Sequence, residues 1–233
     1  MPRPTWIAAA AWLLLVPSLL AQDGPPLLRH RVTAARNADL PTEVWLREAL
    51  LSDARDALLH EARVRAVALA AADSSAEALY WVAALAALQA ETAGTRAKIR
   101  LGQEAFAASE AALERDPQHA GAHHVMGRLH AGVLRLSGLT RWVAGRLGLG
   151  GLLEQASWES ASHHLRRAHE LAPRQATYAF ELGALLLSRG DTASARPLLE
   201  DVIARPAPDG WQQHLRLRAC ALLQEASCAA PRP

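Results

Sequence analysis

Aromatic residues and lysine are scarce in this chain of 233 residues. Aromatic side chains make up 5% of the sequence, and Lys98 is the only lysine, so that arginine carries almost all of the positive charge. Chains that are rich in alanine and leucine but poor in aromatic and β-branched residues favour helix over sheet. The composition therefore argues against an all-β sandwich or barrel, and the length suits one domain or two small ones.

A strong net charge is also absent, because 25 basic residues nearly balance 23 acidic ones. The resulting net charge of +2 gives no electrostatic reason to expect nucleic acid as a partner. Hydrophobic residues, in contrast, make up 51% of the chain, which argues against intrinsic disorder in its middle part.

Cysteine occurs only twice, near the C-terminus. Cys220 and Cys228 are eight residues apart, which corresponds to about 12 Å along a straight helix, whereas a disulfide requires Cα atoms within about 7 Å. A bond between them would require the tail after Ser227 to fold back. A disulfide and two unpaired thiols therefore both stay open, and no zinc-type cysteine spacing is present.

The longest apolar run lies at the N-terminus, in residues 6–20. It follows the single charge of Arg3 and is followed by Ala21 and polar residues. This layout is typical of a secretory signal peptide, with cleavage expected after Ala21. We expect a periplasmic or secreted mature chain. An uncleaved helix that anchors the protein is the alternative, although the run is short for a span of about 20 residues.

Apolar residues recur at steps of three and four through the rest of the chain, and nothing alternates with period two, so we expect helices without strands. The pattern predicts a helix from residue 41, a second over 53–72, and further helices over 75–92, 96–115, 119–136, 155–171, 175–188, 191–204 and 209–226. The predicted divisions are a signal peptide (1–21), a linker (22–40), a helical domain (41–227, with an insert at about 136–157) and a C-terminal tail (228–233).

Three segments of the helical domain align without gaps around a helix end. A small residue late in one helix (Ala68, Ala112 or Ala168) is followed five positions later by a stop. The next helix then carries a large apolar residue beside a small one, in the pairs Val82-Ala83, Met126-Gly127 and Leu182-Gly183. Because a small residue allows a neighbouring helix to approach closely, these pairs predict tight helix crossings.

The last unit, over residues 161–206, is the most regular. Ala168 and Val202 are 34 residues apart, which is the tetratricopeptide period, and Gly190-Asp191 forms the turn between its helices. On these residues the chain resembles a tetratricopeptide repeat protein. The resemblance implies an all-α fold in which antiparallel helix pairs stack into a superhelical solenoid with a concave face.

The second unit contains a glycine-rich insert. Ala112 and Ala168 are 56 residues apart, and the excess over one period lies in the insert, which is predicted to be a loop or a broken helix. The insert, with Ser137-Gly138-Leu139-Thr140-Arg141-Trp142 and the later Trp158-Glu159-Ser160-Ala161, resembles the regulator of microtubule dynamics family. This family has eukaryotic members associated with microtubules and many bacterial relatives. The signal peptide indicates the bacterial kind, so the microtubule activity is not carried over.

The resemblance to tetratricopeptide proteins also indicates which residues line a partner-binding groove. They include Tyr80, His124, Arg128 and Phe180. The two aromatic residues would hold an apolar ligand segment, and Arg128 with His124 would hold an acidic group. Packing of Tyr80 and Phe180 against a neighbouring helix is the alternative. Our main hypothesis is a non-catalytic scaffold that binds a protein or peptide partner and needs no cofactor.

Histidine suggests a second hypothesis, because seven of the ten histidines lie between His119 and His169. His119 and His123 share a helix face and, with His124, could bind a metal. The partner helix of the hairpin could contribute His163 or His164. The alternative function is therefore a metal-binding protein or a metal-dependent periplasmic enzyme. The chain has no HExxH motif and no recognisable Ser/His/Asp arrangement, so that we expect no catalytic residue.

The insert also has an amphipathic and basic surface, formed by Arg141, Trp142 and Arg146. It could touch a membrane surface or a partner helix. We expect instead that the insert folds back and packs Trp142 over the second repeat.

Overall fold

The computed structural model of the protein describes residues 43–224. The predicted signal peptide, the linker and the C-terminal tail with Cys228 lie outside the described residues. Cys220 lies within the described residues, where it is buried and disulfide-bonded.

The described residues form eleven α-helices and one π-helical turn, and they contain no strand. The bounds are α1 Glu43–Leu50, α2 Arg55–Ala72, α3 Ala76–Thr92, α4 Thr95–Arg115, α5 Ala120–Leu134, α6 Gly138–Ala144, the π-helical turn Gly145–Leu149, α7 Gly150–Gln155, α8 Trp158–Leu171, α9 Ala176–Ser188, α10 Thr192–Ala204 and α11 Gly210–Leu223. The all-α prediction is confirmed. None of these helices is both long and apolar enough to cross a membrane.

Polar side chains determine where many of the helices begin. The side chain before the first helical residue accepts a hydrogen bond from a backbone N–H three positions later, which stabilises a helix by about 1 kcal/mol. Residues of this kind are Ser75, Ser137, Ser157, Asp191 and Asp209. Between α9 and α10, Gly190 has a φ of +86°, a conformation that favours glycine.

Three helix pairs form the body of the protein: α3 with α4, α5 with α8, and α9 with α10. Consecutive pairs pack side by side, because α4 contacts α5 and α8 contacts α9. The first helices of the pairs also contact one another, α3 with α5 and α5 with α9, and α9 contacts α11. We call the face formed by α3, α5, α9 and α11 the inner face. The arrangement is a solenoid of helix pairs, as predicted.

The predicted tight crossings occur at two glycines. A Cβ atom on Gly127 of α5 would lie 2.7 Å from Leu165 Cγ of α8, and one on Gly183 of α9 would lie 2.9 Å from Leu199 Cγ of α10. Both leucines are almost completely buried. The large–small pairs therefore mark the crossing points within the second and third helix pairs.

The glycine-rich insert is a broken helix rather than a loop. Its segments α6, the π-helical turn and α7 follow one another without a gap. Ala144 and Leu152 are buried against apolar side chains of α4 and α5. In addition, Gln103 Nε2 of α4 donates a hydrogen bond to Leu147 O at 2.8 Å. The insert is thus held in one orientation on its neighbours.

Helix α1 joins the two ends of the solenoid. Its Leu46 is buried in the core cluster of α2 and α3. Its Arg47 donates a hydrogen bond at 3.2 Å to Oε1 of Gln175, the residue that precedes α9. The same side chain lies 3.8 Å from Oδ2 of Asp209, the residue that precedes α11. Because α1 has eight residues and is only about 12 Å long, it can reach both ends only across the inside of a curved stack. The inner face is therefore concave.

Candidate functional site

The centre of the inner face carries a network of charged side chains. Arg128 of α5 donates a hydrogen bond to Glu91 Oε1 of α3 at 2.7 Å, and its Nε lies 3.9 Å from Glu181 Oε1 of α9. Arg55 of α2 donates to the second oxygen of Glu91 at 2.8 Å. The Arg128 side chain keeps 36% of its surface accessible, so that solvent reaches the network. The network therefore connects three inner helices and stays open on one side.

The carboxylates hold Arg128 in its charged form. Burial acts to lower the pKa of this guanidinium, but Glu181 and Glu91 outweigh burial, and the net pKa lies above its ordinary value. Glu91 and Glu181 thus already lie beside the Arg128 guanidinium. An acidic ligand group at Arg128 would therefore compete with Glu91 and Glu181.

His124 lies next to this network but is neutral. Its side chain is only 9% exposed, and its ring packs on Tyr178 with a centroid distance of 4.7 Å. Burial, with a smaller contribution from Arg128, lowers the pKa of His124 to about 3. Its Nε2 has no hydrogen-bond partner among residues 43–224. At physiological pH, His124 therefore carries no positive charge, and its Nε2 is buried.

Tyr80 and Phe180 lie in the core. Tyr80 is 6% exposed and packs against His119 and against Gly121, where a Cβ atom would overlap the tyrosine ring. Phe180 is 1% exposed, and the guanidinium of Arg218 lies 4.6 Å from its ring centroid. Of the two alternatives, burial favours packing between helices over aromatic anchors in an open groove.

The three histidines of the metal hypothesis have separate surroundings. His119 accepts a hydrogen bond from Ala122 N at the start of α5, and its Nε2 lies 3.0 Å from Glu77 Oε2. His123 faces α8, and His124 packs on Tyr178. Within the described residues, no group of three or more His, Cys, Asp or Glu side chains is placed to hold a metal ion.

A different set of histidines comes together between α5 and α8. His123 Nδ1 and His164 Nδ1 are 2.9 Å apart, and His123 Nε2 lies 3.0 Å from the carbonyl oxygen of Pro117. Because a carbonyl can only accept, we assign the proton of His123 to Nε2, and its Nδ1 then accepts from His164. The rings of His130 and His163 lie 5.6 and 5.4 Å from that of His164. We call these four residues the histidine cluster.

Burial keeps three members of the histidine cluster neutral, namely His123, His130 and His164. It lowers the pKa of His123 and of His130, and together with the neighbouring histidines it lowers the pKa of His164 to about 4. Sequence reasoning placed His163 or His164 beside His123, as possible metal ligands, but did not include His130. The available signal for His130 was its spacing from His123, about two turns along one face of α5.

The insert surface differs from its prediction. Trp142 is 61% exposed and does not pack over the second repeat, because the buried face of the insert is formed by Ala144 and Leu152 instead. The guanidinium of Arg146 lies 5.4 Å from the Trp142 ring centroid. Arg141 Nη2 donates a hydrogen bond to Leu134 O at 2.9 Å and so also holds the end of α5.

Comparisons with known proteins are informative at the level of the family. No curated protein matches the chain. The family model described as Regulator of microtubule dynamics protein 1-3 matches residues 43–227, a range that contains every helix described above and the insert. The chain therefore belongs to the regulator of microtubule dynamics protein 1-3 family.

Proposed function

We propose that this protein is an exported, non-catalytic scaffold of the tetratricopeptide-like kind, and that its inner face binds a segment of a protein partner. The observation that carries the proposal is the network of Glu91, Arg128 and Glu181. It joins three helices at the centre of a concave face and remains partly accessible. Concave faces of helical solenoids with fixed charges suit recognition by complementary shape and charge.

The proposed partner segment carries charges of both signs. The signs alternate across the inner face, from Glu91 on α3 to Arg128 on α5 and Glu181 on α9. A basic group of the partner would lie beside a glutamate, and an acidic group beside the arginine. Since Tyr80 and Phe180 are buried, charge contributes more than aromatic contacts. Binding is therefore expected to weaken as the salt concentration rises.

Export is a separate part of the proposal, and N-terminal sequencing of the protein from its native host tests it. We expect a mature chain that begins at Gln22, because the apolar run and Ala21 have the layout of a cleaved signal. A mature chain that still begins at Met1 would contradict cleavage. An exported chain does not meet cytoplasmic filaments, so the proposal does not extend to this protein the microtubule role that the family description names.

Affinity capture from the native host tests the inner face. The wild type and an Arg128→Gln variant serve as bait, and captured proteins are identified by mass spectrometry. We expect at least one host protein whose recovery falls on the order of tenfold with Arg128→Gln, since buried or central arginines are frequent hot spots of binding energy. Thermal unfolding of both baits checks that the variant keeps the fold.

Arg167→Gln is the matched control. Arg167 has a side-chain exposure of 37%, nearly that of Arg128, and it pairs with Glu170 on its own helix α8 rather than across the inner face. The control is expected to capture the same proteins as the wild type. If Arg128→Gln and Arg167→Gln leave the captured proteins equally unchanged, the inner face is not the binding site.

A further inference from the structure

The insert has one face in the core and one face in solvent. Ala144 and Leu152 are buried, whereas Trp142 is 61% and Leu147 is 46% exposed. Trp142 is the most exposed large apolar residue among those whose side chains the structure describes. The hydrogen bond from Gln103 holds the π-helical turn on α4. The exposed side chains therefore stand on a folded element, which fixes the direction of the surface that they form.

The exposed face of the insert is also basic. Between residues 136 and 153, Arg141 and Arg146 are the only charged residues, and the next acidic residue is Glu154 at the end of α7. Arg146 lies over the Trp142 ring, so that positive charge and aromatic surface form one continuous area. We call Arg141, Trp142, Arg146 and Leu147 the insert patch.

The shape of the insert patch limits its possible partners. The depression at Trp142 is shallow and open, and the tryptophan lines it together with two glycines, Arg141, Arg146 and Leu153. The indole ring itself projects from the surface. A projecting ring needs a partner with a matching cavity or a partner that yields around it. A lipid bilayer yields in this way, and its headgroup region suits the apolar body and polar N–H of a tryptophan.

We propose that the insert patch is a docking surface for an anionic lipid bilayer. In this arrangement Trp142 and Leu147 enter the headgroup region, and Arg146 contacts lipid phosphates. Arg141 adds positive charge close to the membrane, although one of its nitrogens is already bound to Leu134 O. The small apolar area cannot hold the protein on a neutral membrane by itself, so binding depends on anionic lipid.

Vesicle flotation with the full chain tests this proposal. The vesicles consist of phosphatidylcholine alone or of phosphatidylcholine with phosphatidylglycerol. We expect binding to the anionic vesicles to exceed binding to the neutral ones by about tenfold. Trp142→Ser is expected to lower binding to anionic vesicles on the order of tenfold, because it removes the ring that enters the headgroup region. Arg146→Glu is expected to lower this binding about 25-fold, because one charge near the surface changes binding about fivefold and the reversal alters two charges. High salt lowers the binding of the wild type.

Two control variants make the same kinds of change outside the insert patch, one in apolar area and one in charge. Val64→Ser removes an apolar side chain of α2 that is 54% exposed, and Arg166→Glu reverses a charge on the exposed side of α8. Both are expected to bind like the wild type. Circular dichroism checks that all four variants are folded.

The apolar run in residues 6–20 also has affinity for membranes, and the design separates its contribution. Binding through that run, with Arg3 beside it, is the same in every variant, so the comparison of the insert-patch variants with their controls isolates the insert patch. If neutral and anionic vesicles bind the protein equally, or if the insert-patch variants match their controls, the proposal is wrong. The same holds if no vesicle binds the wild type, which leaves an acidic protein surface as the partner of the insert patch.

Discussion

Replacing Gly127 by alanine is expected to destabilise the protein by about 2 kcal/mol, although alanine is the better helix former. The new Cβ atom would lie 2.7 Å from Leu165 Cγ and 3.0 Å from the backbone nitrogen of Leu165. Because the second contact is with backbone, no change of side-chain rotamer relieves it. Helices α5 and α8 must then move apart, and their separation disturbs the packing around a leucine that is only 2% exposed.

Gly132→Ala is the matched control, because it makes the same substitution five residues later in α5. A Cβ atom on Gly132 meets nothing within 4 Å. This variant is therefore expected to be more stable than the wild type, by up to about 1 kcal/mol, through helix propensity alone. Urea unfolding at constant pH measures both changes. If both alanine variants are more stable, the crossing of α5 and α8 tolerates a side chain and our account of Gly127 is wrong.

The crossing at Gly127 could be predicted because its signal is local. A large residue beside a small one, repeated in each unit, predicts where two helices meet, and apolar periodicity predicts where each helix lies. The structure places most helix ends within three residues of the predicted positions. One difference is the start of α8 at Trp158 rather than residue 155, since Ser157 accepts a hydrogen bond from Ser160 N and begins the helix there.

Contacts between distant segments could not be predicted in this way. Arg47 and Gln175 are 128 residues apart, and nothing in the local pattern of α1 indicates that it crosses the inner face. The histidine cluster depends likewise on the insert, which separates His123 from His164 by 41 residues while the helices that carry them pack together. Such pairs become visible only after the helices are placed in space.

The groove residues illustrate a different limit. Register within a repeat indicates that Tyr80 and Phe180 point towards the inner side, but both rings are buried. The core cluster of Tyr80 includes apolar side chains of α1, and that of Phe180 includes side chains of α10 and α11. Arg128 could be identified because a charged residue at such a position stays near solvent. Its partners Glu91 and Glu181 come from other repeats, and sequence reasoning did not include them in the site.

The histidines make the stability of the fold depend on pH. The pKa of His164 is about 4 and that of His124 is about 3, against an ordinary value of 6.5. Between pH 6.5 and 4, these side chains bind protons in the unfolded chain but not in the folded one. Stability is therefore complete above pH 6.5 and falls as the pH is lowered, by about 1.4 kcal/mol per pH unit for each such histidine.

Acidification to about pH 5 is therefore expected to lower the free energy of unfolding by about 2–4 kcal/mol. The buried His124 contributes about 2 kcal/mol, and the partly exposed His164 contributes up to the same amount. The total loss is a large part of the roughly 5–15 kcal/mol that typically stabilises a domain. His123 and His130, whose pKa burial also lowers, act in the same direction. Urea unfolding at pH values from neutral to about 5 measures this dependence.

A His164→Gln variant isolates the contribution of the histidine cluster, and the quantity to compare is the slope of stability against pH. The variant loses a hydrogen bond to His123 and is less stable at neutral pH. The slope of its stability against pH is expected to be smaller by about 1.4 kcal/mol per pH unit, which corresponds to one proton fewer bound on unfolding. His60→Gln, on the exposed side of α2, is expected to leave the slope unchanged. If the wild type and the His164→Gln variant have equal slopes, the protonation of His164 is not linked to folding.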